Sequence, residues 1–135
     1  MQTLENANQT SKVVELLQNG FASQTLKHAE HLAKDYEIHN PKEVGEFLGN
    51  NLFLLDLIGE IPSQIRKYFG KKQKLVLEFF LDPEDPNWHR LHILVPTNSS
   101  VDEARTLMDK FDENWWLDNE PRSNSKIMVN LRYVK

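Results

Sequence analysis

The chain has 135 residues, the usual size of one domain, and its 39% hydrophobic content with seven Phe, three Trp and three Tyr excludes a disordered polymer. There is no cysteine, which excludes disulfides, thiolate catalysis and every zinc or iron–sulfur site that needs sulfur ligands. Net charge is −4, with eight basic against nine acidic residues before Gln73 and eight against eleven from Gln73 onward, so neither half carries the positive excess of a protein that grips a phosphate backbone.

The N-terminus lacks the basic start and apolar run of a secretory signal. The longest apolar cluster, residues 52–61, is broken by Asp56, Gly59 and Glu60 and is about half the length of a membrane-spanning helix. A cytoplasmic protein without membrane contact is expected. Residues 1–10 are polar, rich in Asn and Gln, and expected to be disordered. A short helix is predicted over 11–19, with Val13, Val14, Leu16 and Leu17 on one side and Gly20 as its stop. Ser23 opens a second, along which Leu26, Ala29, Ala33 and Tyr36 recur at helical spacing. In Asn40-Pro41-Lys42-Glu43, Asn40 is placed to cap a third helix, Pro41 fits its first position, Glu43 can reach back to a free N–H, and Gly49 ends it. Residues 51–69 form a longer helical segment bent at Pro62, whose missing N–H leaves the carbonyl of Ile58 without its bond; two separate helices are the alternative.

After Gly70 the apolar period becomes two. Residues 74–81 read as a strand with Leu75, Leu77, Phe79 and Leu81 on one face and Val76, Glu78 and Phe80 on the other. The turn-rich Asp82-Pro-Glu-Asp-Pro-Asn87 leads to a second strand over 90–95 that Pro96 terminates. Ser100-Val-Asp-Glu103 is a capping box, followed by a helical stripe through Val101, Ala104, Leu107 or Met108, Phe111 and Trp115. The polar connection 120–125 precedes a last strand in which Ile127, Val129, Leu131 and Tyr133 alternate with Met128, Asn130, Arg132 and Val134. The expected fold is therefore a single α+β domain: a helical half over 11–70 packed on a three-stranded, mainly antiparallel sheet of ββαβ order over 71–135. The strand apolar on both faces should be central, with the second strand on one side and the last on the other. The helix after Ser100 would cover one face and the N-terminal helices part of the other.

One sheet face gathers Glu78, Arg90, His92, Asn130 and Arg132, and a register pairing Leu77 with Ile93 sets Glu78 opposite His92, where a carboxylate could orient an imidazole as a base. An ordinary cross-strand ion pair accounts for the same two residues, and no activated nucleophile accompanies them. His89 and His92 point to opposite faces. His28 and His31 stand at i and i+3 on a helix without a zinc-protease pattern, and Asp82, Glu84 and Asp85 lack an EF-hand spacing, so no metal and no cofactor are expected. The one basic stretch, residues 66–74, carries Arg66, Lys67, Lys71, Lys72 and Lys74 with two aromatics and no acid; a helix end and a solvated loop explain it better than nucleic acid. Residues 102–120 are the opposite, with seven acids against Arg105 and Lys110. There Trp115 and Trp116 are adjacent, so on an α-helix both cannot enter one stripe: Trp115 is expected to pack on the sheet, while Trp116 either covers the helix end against the N-terminal helices or is an aromatic anchor rimmed by Asp112, Glu113 and Asp118.

The runs Ile65-Arg-Lys-Tyr-Phe-Gly70, Leu75-Val-Leu-Glu78, Asp82-Pro-Glu-Asp-Pro86 and Phe111-Asp-Glu-Asn-Trp-Trp-Leu-Asp118 resemble a family of short bacterial proteins, frequent in cyanobacteria, that has no established activity. A weaker resemblance, of element order alone, is to minimal nucleotidyltransferases, whose Gly-Ser and Asp-x-Asp are replaced here by Phe80-Leu81-Asp82-Pro83 and Arg90-Leu91-His92; this resemblance implies a degenerate relative without the metal-binding carboxylates. The functional expectation is a noncatalytic protein-interaction module, the small partner of a two-gene system or a homo-oligomer. Its contact would be the Trp115/Trp116 end or the half-polar sheet face. Weak nucleic-acid binding through residues 66–74 is the alternative.

Overall fold

The computed structural model describes residues 26–85 and 87–134, with side chains from residue 30 onward, so the predicted helix over 11–19 lies outside the described residues. In chain order these form α1 (Leu26–Asp35), β1 (Glu37–Ile38), α2 (Pro41–Gly49), a 3₁₀ turn (Leu52–Leu54) running into α3 (Leu55–Phe69), β2 (Val76–Leu81), β3 (His89–Thr97), α4 (Val101–Phe111), a π-turn (Asp112–Trp116), helical turns over Leu117–Asn119 and Glu120–Ser123, and β4 (Ile127–Tyr133). The α+β class expected from the sequence is what the chain adopts. The sheet differs from expectation.

Four strands lie in the order β1-β2-β3-β4, β1 and β2 parallel, β2 and β3 antiparallel, β3 and β4 parallel. The last strand is therefore beside β3 and not on the far side of β2, whose second neighbour is the two-residue β1 from the nominally helical half. Connection chemistry gives the reason: a chain that leaves a strand through a helix returns parallel to it, as β3-α4-β4 does. The segment β1-α2-α3-β2 does the same, and the β2–β3 hairpin joins the two units.

Both crossovers put their helices on one side. The buried helix residues Leu32, Val44, Leu48, Leu57, Ile61, Ile65 and Met108 share one core cluster with Ile38, Leu75, Leu77, Leu91, Ile93, Val95 and Ile127, which all face the same way from the sheet. The N-terminal helices α1–α3 thus cover the face that α4 covers and not the opposite one. Local signals explain the helix ends. Ser100 accepts from the Glu103 N–H as the capping box requires. Pro41 opens α2 as expected, but Asn40 sits in the left-handed region at φ 52° and its side chain does not cap. Asn tolerates that conformation, and the reversal from β1 into α2 takes precedence over the cap.

Pro62 and Pro96 are accommodated without loss of a buried bond. Pro62 lies inside α3, and the carbonyl it deprives, that of Ile58, accepts a 2.8 Å hydrogen bond from the buried Tyr36 hydroxyl just beyond α1. Pro96 does not end β3, which continues to Thr97. Its nitrogen faces the β2 side, where β2 has not yet begun, so no ladder bond is lost, and the Gln73 side chain donates to its carbonyl at 2.7 Å.

Candidate functional site

The face of the sheet turned away from the helices carries Val76, Glu78 and Phe80 from β2, Arg90, His92 and Leu94 from β3, and Met128, Asn130 and Arg132 from β4. Among the described residues no helix covers it. Most of these side chains are half-buried by one another, with Val76 buried and Arg132 exposed. The register pairs Leu77 with Ile93 and Glu78 with His92 as the alternation implies, yet the two do not form a dyad. Glu78 turns toward β1, where its Oε2 is 3.7 Å from Nδ1 of His39, and Oε1 of Glu37 is 3.4 Å from the other imidazole nitrogen. His92 stacks flat on Phe80, centroids 4.3 Å apart and planes 10° off parallel, and its buried Nε2 has no hydrogen-bond partner. Burial and then the neighbouring Arg90 cation push the His92 pKa down, with Glu78 opposing them, so the ring is held toward its neutral form.

Arg90 completes this row. Its guanidinium carbon lies 4.3 Å from the centroid of Trp88 and 5.1 Å from that of Phe80, while Asp82 at 3.9 Å is an ion pair beyond hydrogen-bond length and the buried Nε is unpartnered. Trp88, Arg90, Phe80 and His92 therefore make one aromatic–cationic band across the hairpin end of the open face. Sequence reasoning placed Arg90 and His92 there but missed Phe80 and Trp88 as their platforms, and missed His39 because no element was expected over residues 37–39, between the second and third helices. The alternation Glu37-Ile38-His39 after Tyr36 was the available signal.

The tryptophan end packs both indoles on the core and leaves Trp116 no exposed anchor. Trp116 is the buried indole, 7% exposed, stacked on Phe111 at 6.2 Å and 13°, whereas Trp115 is half-buried beside it. The cause is the π-turn: the Leu117 N–H bonds to the carbonyl of Asp112, five residues back, so one wide turn from Phe111 arrives at Trp116 as well as Trp115. Asp112 is half-buried, and burial first, then Asp109 and Glu113, push its carboxyl pKa up. Glu113 and Asp118 are exposed.

The remaining candidates are structural. Arg66 donates to Asp35 Oδ1 at 3.0 Å, to the Asp35 carbonyl at 3.2 Å and to the Gln73 carbonyl at 3.1 Å, tying α1, α3 and the start of β2 together. Lys67, Lys71, Lys72 and Lys74 stay exposed. Asp82 and Asp85 accept from the N–H groups of Glu84 and Asn87, the bonds of Asx turns. The His28 side chain lies outside the described residues, and among the described residues no group of three His, Asp or Glu is arranged to hold a metal ion. Nor is any helix of the described residues long and apolar enough to cross a membrane.

On the helix side, where α2 stops short of the hairpin, a groove of about 440 Å³ is lined by Glu43, Glu46, Phe47, Asn50, Asn51, Phe79, Asn87, Trp88, His89 and Lys126. Phe47 and Phe79 meet edge to face at 5.9 Å, as do Phe79 and His89 at 5.3 Å. No pattern along the chain signals this groove, because its residues come from four separate segments. No family model, no curated protein and no solved structure matches the chain.

Proposed function

We propose that this chain is a noncatalytic protein-interaction module whose contact is the open face of the sheet. The observation that carries the reading is the Arg90 guanidinium, which lies over the Trp88 and Phe80 rings and beyond hydrogen-bond length of Asp82. An arginine fixed on aromatic faces has lost little of its bonding capacity and most of its conformational freedom, and Trp and Arg are the residues that dominate interface energetics. Half-buried Phe80 lies opposite it in the register and half-buried Met128 opposite the neighbouring His92, with Leu94 further along the same face. The partner is accordingly a protein surface that sets a carboxylate beside apolar side chains, the carboxylate meeting Arg90. Glu78 and His92 are occupied by His39 and Phe80 respectively, which favours a binding role over acid–base chemistry.

Selection of binders from a displayed peptide library tests this. Enriched sequences should combine Asp or Glu with apolar residues, and binding to Arg90→Ala should be weaker by about tenfold or more, a cost of about 1.4 kcal/mol or above. Asp118→Asn, at the tryptophan end, should bind as the wild type does. Binders indifferent to Arg90→Ala would end the reading. A salt-sensitive affinity for single-stranded oligonucleotides that is lost in Lys71→Ala/Lys72→Ala would replace it with the nucleic-acid alternative.

A further inference from the structure

The groove between the end of α2 and the β2–β3 hairpin is a separate surface, on the helix side of the sheet, and its chemistry is one-sided. Glu43 and Glu46 stand one turn apart on α2, exposed, and neither has an ion-pair partner among the described residues, whereas Asp35, Glu60 and Asp82 each pair with an arginine. Asn50 and Asn51 spend their amide N–H groups on the carbonyls of Glu46 and Phe47, which leaves their side-chain oxygens as acceptors. Glu46, Asn50 and Asn51 stand at the C-terminal end of α2, the negative end of its dipole, while Glu43 lies in its first turn. The apolar walls are the rings of Phe47, Phe79 and Trp88. Acceptors, a helix C-terminus and aromatic faces all favour a cation. One cation is already drawn in: the Lys126 ammonium lies over Phe47 at 5.9 Å. Two carboxylates against one ammonium leave a single surplus negative charge.

We infer that the groove is a binding site for a ligand carrying one guanidinium group, an arginine side chain of a polypeptide or a small guanidinium compound. A guanidinium is planar, weakly hydrated and rich in donors, so it stacks on aromatic faces while its edge bonds to carboxylate and amide oxygens; a compact ammonium, strongly hydrated, cannot do both. The volume accepts an arginine with its flanking backbone.

Titration of the full chain with methylguanidinium, with methylammonium and with the blocked tripeptide Gly-Arg-Gly, followed by the NMR signals of the Trp88 indole and the Asn50 and Asn51 amides, tests the assignment. Saturable shifts at those groups are expected with methylguanidinium, and weaker ones with methylammonium. A tighter tripeptide identifies a polypeptide source, and equal affinities a small-molecule source. Glu43→Gln/Glu46→Gln should weaken binding about tenfold or more, whereas Lys126→Gln, which removes the resident cation, should strengthen it. Asp102→Asn/Glu103→Gln, the same charge change on α4, should leave it unaltered. The inference is overturned by an absence of saturable shifts, by equal weakening in the α4 control, or by loss of binding in Lys126→Gln. Glu43→Gln/Glu46→Gln should bind the acidic peptides selected on the open face as the wild type does, so failure of either site is distinguishable from failure of the other.

Discussion

Ile58 has a carbonyl that its own helix cannot satisfy, because the residue four positions on is Pro62. The Tyr36 hydroxyl supplies the missing donor from α1's far end, in a site where burial pushes the phenol pKa well above its ordinary value. Tyr36→Phe should therefore destabilise the fold by about 1–2 kcal/mol, the cost of an unmet buried acceptor. In a Pro62→Ala background the helix regains its own N–H at that position, so the same change should cost markedly less; equal costs in urea denaturation of the two backgrounds would show that the bond is incidental. Asp112 makes an argument about pH. Its carboxyl pKa is raised above the ordinary 3.8 by burial and by Asp109 and Glu113, so between the two values the folded state binds more protons than the unfolded one. Stability from this group is present below the unfolded pKa and is lost as pH rises through the folded one. Asp112→Asn should flatten the stability profile in the window directly above pH 3.8 and leave the protein more stable than wild type at neutral pH, as read by thermal melting across a pH series.

The π-turn is the element that most alters how the chain can be read. An α-helix through Phe111 carries the core stripe to Trp115 alone; a turn closed by a bond to the fifth residue back carries it to Trp116 too. Two adjacent indoles then pack around one phenyl ring, with Phe111 to Trp115 at 5.9 Å and Trp115 to Trp116 at 6.1 Å. Trp116→Ala should cost about 3–5 kcal/mol, as for a large core residue. Trp115→Ala, half-exposed, should cost about 1–2 kcal/mol. Denaturant titration with an unchanged slope distinguishes these from a change of mechanism, and the reverse order of costs would contradict this packing of the two indoles. The π-turn leads into the Glu120–Ser123 turn, which Arg122 ties to Glu60 on α3, so the segment after α4 is anchored at both ends.

For the molecule as a whole, placing every described helix on one side of the sheet leaves two surfaces of different character. The open face presents an arginine held on aromatic rings and favours acidic contacts. The groove presents carboxylates beside aromatic rings and favours basic ones. Both meet at Trp88, whose ring Arg90 covers from the open face and which also lines the groove.

The sequence by itself determined the α+β class, the two long strands with the Leu77–Ile93 register, the capping box at Ser100, and the need for some group to answer the Ile58 carbonyl. These follow from local rules: side-chain alternation, turn residues and backbone hydrogen-bond accounting act within a few residues of one another. Only the tertiary structure decided that β4 lies beside β3, that β1 is a strand at all, that Glu78 pairs with His39 and not with His92, and that Trp116 is the buried indole. A two-residue strand has too little periodicity to be recognised and exists because β2 offers it a ladder. The groove is the extreme case, since Glu43, Phe79, Trp88 and Lys126 have no common pattern along the chain and acquire one only when a crossover helix ends short of a hairpin.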